Sequence, residues 1–87
     1  MKKLAFAVLA AAFSSTALAD AKCEKHPKEE WMKESDAKAK IEAQGYRIKV
    51  FKVSGQCYEI YGTNKEGKKV EIYYDAKTLD VVKSEVR

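Results

Sequence analysis

Cys23-Glu-Lys-His26 is the spacing in this chain that could hold a metal, since a thiolate and an imidazole separated by two residues can share an ion when the thiol is free. His26 is the single histidine, and Cys57 is the only other cysteine. Two cysteines allow one pairing, and joining Cys23 to Cys57 takes the thiol out of the ligand set. The expected state is therefore a structural disulfide, worth roughly 3 to 4 kcal/mol in the chain-entropy model. His26 is then expected as an exposed residue of an arm, with no metal and no cofactor implied. The alternative reading is an envelope protein that binds a small ligand or metal through the arm around His26.

Carboxylates and aromatics offer the other chemistry. Glu59 and Glu71 fall on neighbouring strand-like runs, where a close pair can divide acid and base roles if environment separates their pKa values. Among so many lysines, cross-strand ion pairs of about 0.2 to 1 kcal/mol each are the simpler use. A hydrolytic triad needs a nucleophile beside a histidine. Ser35 reads as a helix cap, Ser54 as part of a turn and Ser84 as a strand residue, so no catalytic residue is assigned and an enzyme is not expected. Phe51, Tyr61 and Tyr73 are expected on one sheet face mixed with charged residues, and partly exposed aromatics carry a large share of binding energy at interfaces. With Glu59 and Glu71 they form the candidate partner-binding set. The competing use of the same rings is to stiffen the sheet by cross-strand packing.

The elements that must position these residues begin after a leader. Lys2 and Lys3, the apolar run LAFAVLAAAF at 4–13 and an A-L-A close before Asp20 have the three parts of an export signal, residues 1–19. The apolar run is too short for a stable membrane anchor. Residues 20–34 then form a polar arm broken by Pro27, with one helical turn near Glu29 to Met32, and residues 35–87 form the domain proper. Losing Lys2 and Lys3 from seventeen bases leaves them close to balance with thirteen acids. Finely mixed charge of that kind suits a solvated surface and not a polybasic nucleic-acid or lipid stripe. The partner expected is an exported protein, not nucleic acid, and the oligomeric state is open.

Ser35 offers an N-cap for a helix from Asp36 to Gln44, and Gly45 can end it in the left-handed conformation. Ala37 and Ile41 give that helix a thin apolar face, which Trp31 and Met32 supplement. Four strand-like runs follow, 46–53, 57–62, 68–75 and 80–86, joined by short turns, which predicts an antiparallel meander. Alternation puts Ile48, Val50, Tyr58, Ile60, Val70, Ile72 and Tyr74 on the helix side. Arg47, Lys49, Phe51, Glu59, Tyr61, Lys69, Glu71 and Tyr73 take the other side. Phe51 and Val53 fall out of phase with Ile48 and Val50, which a bulge near Val50 and Phe51 would explain. The fold class is thus α+β: one short helix on a three- to four-stranded antiparallel meander, with an N-terminal arm tied down by a disulfide.

Trp31 before the helix, Gly45-Tyr46 after it, Cys57-Tyr58-Glu59, the turn through Lys65 to Gly67, and Val70 to Asp75 together resemble the PepSY domain family, in its small exported bacterial form. The resemblance spans nearly all of the chain beyond the leader. It implies a helix packed on an antiparallel sheet, and a non-enzymatic module that restrains or modulates a secreted or envelope enzyme such as a peptidase. It supplies no catalytic motif. One departure stands out: the family's last turn runs D-x-x-T-G, and here Leu79 follows Thr78.

Overall fold

The computed structural model describes residues 21–87. The segment 1–19, read as an export signal, lies outside the described residues. Among those described, no helix is long and apolar enough to cross a membrane.

After a short 3-10 turn at Lys28–Glu30, helix α1 runs Glu34–Ala43 and is followed by strands β1 (Arg47–Ser54), β2 (Cys57–Thr63), β3 (Lys69–Asp75) and β4 (Val81–Val86). The strands form one antiparallel sheet in the order β1-β2-β3-β4, the meander expected from the short turns. The helix starts earlier than Ser35 would dictate. Lys33 occupies the cap position with no side-chain cap hydrogen bond, and Ser35 lies inside the first turn. Tertiary bonds fix this start instead. Met32 N donates to Ala76 O at 2.8 Å, and the Tyr58 hydroxyl donates to Met32 O at 2.5 Å. Glu34 and Asp36 then complement the positive end of the helix. Gly45 ends it at φ 104°, donating its N–H to Glu42 O.

Ala37 and Ile41 are fully buried and form the helix's contribution to the core, with Tyr58, Ile60, Val70, Ile72, Tyr74 and Ala76 beneath them. Trp31, Met32, Tyr46, Ile48, Phe51 and Leu79 pack around this cluster. The Trp31 ring meets Tyr58 edge-on at 5.4 Å, and the Phe51 ring lies 4.9 Å from the same tyrosine.

Phe51 therefore belongs to the helix side, opposite to the face that strict alternation gave it. The β1–β2 register slips between Ile48 and Val50, so Ile48 pairs with Gly62, Val50 with Tyr61 and Phe51 with Ile60. One extra residue in β1 exchanges the faces of everything that follows it. Val50, expected in the core, is accordingly 42% exposed.

The bulge needs room, which Gly62 gives. A Cβ there would lie 1.9 Å from Arg47 O, so β1 can approach β2 this closely only over a residue without a side chain. At the other end of the meander, the backbone of Leu79 takes φ 64° in the turn joining β3 to β4. This is the turn in which the resemblance leads to an expected glycine, and here leucine itself takes the left-handed conformation.

Candidate functional site

The face away from the helix carries three adjoining features. At its centre, Glu59 pairs with Tyr73 and Tyr61 pairs with Glu71 across β2 and β3. Two carboxylates thus occupy one diagonal of a square and two tyrosines the other. The Tyr73 hydroxyl donates to Glu71 Oε2 at 3.1 Å, and Arg87 Nη2 donates to Glu71 Oε1 at 3.2 Å. Lys52, opposite Glu59 on β1, brings its Nζ to 3.9 Å from Glu59 Oε1.

Glu59 is 1% exposed and Tyr73 4% exposed, so neither presents a free surface. Glu59 Oε2 is buried with no hydrogen-bond partner. An ionised oxygen in that position is costly, whereas a protonated one becomes a donor. Burial, followed by the neighbouring Glu71 carboxyl, pushes the Glu59 pKa up. Glu71 moves the other way: hydrogen bonding with Glu59 outweighs burial, aided by Tyr61, Tyr73 and Arg87, and holds its carboxyl below the ordinary range. Hydrogen bonding to Glu71, with burial and the Glu59 charge, pushes the Tyr61 phenol up to about 12. Tyr73 is pushed up further, chiefly by burial. The opposite shifts make Glu59 the acid that more readily keeps its proton and Glu71 the one that stays ionised.

Beside the square, toward the start of β1, lies an open cleft of about 350 Å³. Its walls include Arg47, Lys49, Lys69 and Arg87, with Tyr61 and Thr63 on one side and Gly62 at the bulge. Arg47 pairs with Thr63, which pairs with Lys69, so Arg47 and Lys69 stand in one row across three strands. Arg87 is drawn in because its N–H donates to Lys69 O, extending the β3–β4 ladder past Val86. No acid lines the cleft. Tyr61 is half-buried, with Lys52 Nζ 5.5 Å from its ring centre.

At the opposite end of the face sits the arm. Cys23 and Cys57 form the expected disulfide, with Cα atoms 5.3 Å apart. Cys57 pairs with Asp75 across β2 and β3, and His26, three residues beyond Cys23, reaches that aspartate. His26 Nε2 stands 3.1 Å from Asp75 Oδ2, while the indole N–H of Trp31 donates to His26 O at 2.9 Å. Asp75 Oδ1 accepts from the amides of Lys77 and Thr78. Burial works against ionisation of Asp75, but the Thr78 amide, His26 and the Lys77 amide together outweigh it and lower its pKa. His26 is half-buried and not an exposed residue of the arm.

Of the five residues expected on one outward face, the structure brings Glu59, Tyr61, Glu71 and Tyr73 together and removes Phe51 to the core side. Tyr61 is the aromatic of the group that keeps partial exposure on this face. The cleft bases Arg47, Lys49 and Lys69 were legible as strand residues facing outward; Arg87 joins them through the end of β4.

A single helix on an antiparallel meander, with an arm stapled across one end, defines a small α+β module whose face away from the helix bears the polar features described above. Residues 3–85 match the family model PepSY_2, described as peptidase propeptide and YPEB domain, and the chain belongs to that family. Such domains are propeptide or inhibitory modules and generally non-catalytic. Family and disulfide are consistent with an extracellular location. Comparison with curated proteins and with solved structures finds no match.

Proposed function

We propose that this PepSY chain is an exported, non-enzymatic module that binds and restrains a secreted or envelope enzyme, a peptidase being the class that the family description supports. The observation that carries the reading is the cleft beside Tyr61. Arg47, Lys49 and Lys69 line an open groove together with Arg87, whose guanidinium is paired with Glu71 and Glu85, next to the half-buried Tyr61. An acidic segment of the partner fits this surface: the bases steer and position it, and the ring supplies contact area at little entropic cost. Export is supported by the leader pattern at 1–19 and by the disulfide.

The test is an inhibition assay. The peptidase activity of culture supernatant and envelope fractions is measured with increasing amounts of the chain, and again with a variant carrying Arg47→Glu and Lys69→Glu. Inhibition by the native chain, lost in the variant and weakened by added salt, supports the reading. Unchanged activity in all fractions at saturating excess sinks it.

A further inference from the structure

We propose that Glu24, His26 and Asp75 form a divalent-cation site, with Zn²⁺ as the ion suited to one imidazole and two carboxylates. His26 Nε2 is 3.1 Å from Asp75 Oδ2 and 4.0 Å from Glu24 Oε1, and the three ligand atoms lie within 4.8 Å of one another. Ligand atoms sharing a tetrahedral zinc with bonds of about 2.0 to 2.2 Å stand roughly 3.3 to 3.6 Å apart. His26 and Asp75 are thus spaced almost as adjacent ligands already, and Glu24, on an exposed side chain, closes the third corner by a rotamer change.

Nε2 of an imidazole carries at most one hydrogen, and the shorter contact directs it to Asp75. Glu24 Oε1 lies 4.0 Å from the same nitrogen on an exposed side chain, near enough for a bound ion to draw it in. One cation at the common centre serves all three atoms and neutralises both carboxylates.

The surroundings are those of a held site. Asp75 is largely buried, and the amides of Lys77 and Thr78 occupy its Oδ1, which leaves Oδ2 turned to His26. The main chain at His26 is fixed on one side by the disulfide and on the other by the Trp31 indole. Supports of this kind orient ligands and raise metal affinity. The exposed side, at Glu24, leaves a position for water. Since this cluster lies at the end of the sheet away from the basic cleft, its test is independent of the peptidase reading.

The experiment is calorimetric titration of Zn²⁺ into the untagged, oxidised chain, with Mg²⁺ as the control ion, for the native sequence, His26→Ala and Glu24→Gln. Melting temperatures without metal are recorded in parallel. The expected result is one saturable Zn²⁺ site, abolished in His26→Ala and weakened roughly tenfold or more in Glu24→Gln. The metal-free melting temperature of Glu24→Gln should stay that of the native chain, because its side chain is 78% exposed. Absence of saturable Zn²⁺ binding, or affinity unchanged by Glu24→Gln, overturns the proposal; the second arm decides even if His26→Ala fails to fold.

Discussion

Glu59 lies diagonally across the β2–β3 ladder from Glu71, and the two carboxyls titrate in opposite directions from the ordinary value near 4.5. For Glu71, whose pKa is lowered on folding, the stabilisation is present above the unfolded value and is lost as pH falls through the folded one. For Glu59, whose pKa is raised, the stabilisation is full below the unfolded value and is lost as pH rises through the folded one. Their combined contribution therefore peaks in the mildly acidic range. Glu59→Gln, which keeps a donor toward Glu71 without the charge, is expected to stabilise the chain at neutral pH by about 1 kcal/mol and to flatten the decline from mildly acidic to neutral pH. Urea midpoints across that range measure it, and a variant less stable than native at neutral pH refutes the cost assigned to the buried Glu59 charge.

The disulfide yields a second expectation. Replacing both Cys23 and Cys57 by serine should cost roughly 3 to 4 kcal/mol, and should free the arm before the sheet itself unfolds. Chemical denaturation of the native chain with and without reductant, beside the double variant, reads the first quantity. Protease sensitivity near residues 21–31 reads the second.

Gly62→Ala should be expensive for a residue on a strand, where alanine is ordinarily the easier choice. The added Cβ would meet Arg47 O at 1.9 Å, so β1 must shift or lose its bulge. A loss of about 1 to 3 kcal/mol is expected, together with faster amide exchange in β1 than in β3. Normal stability would show that the close approach is relieved at little cost.

At Leu79 the backbone and the side chain pull in opposite directions, and a pair of variants separates them. Leu79→Ala and Leu79→Gly both remove the packing against the core cluster, but only glycine relieves φ 64°. Glycine is expected to be the more stable of the two by about 1 kcal/mol. Thermal denaturation of the two proteins gives the difference directly.

Period and punctuation made most of the architecture readable. The Ala37–Ile41 spacing, Gly45 and four short apolar runs lead to the helix and the meander with ends shifted by only a residue or two. The face of Phe51 was misassigned because a two-residue period has no memory of an inserted residue; the phase break at Phe51 and Val53 was visible, yet its consequence had to be carried through the rest of β1. Ser35 looked like a cap because local chemistry favours it, whereas bonds from Met32 to Ala76 and Tyr58, which no local pattern encodes, decide where α1 begins. His26 and Asp75 stand 49 residues apart in sequence. Their meeting follows only once the disulfide and the pairing of Cys57 with Asp75 are combined, and C-x-x-H alone pointed to the cysteine as the partner.

The staple across the sheet also makes the completed shape depend on chronology. A chain that has already formed its helix and four strands has residues 21–31 held by the His26–Asp75 and Glu30–Lys77 pairs and the Trp31 ring until Cys23 meets Cys57. The same amino acids thus describe two species, one with its N-terminal segment loosely attached and one sealed, and an oxidant decides when the first becomes the second. What surrounds the protein finishes the fold that its sequence begins.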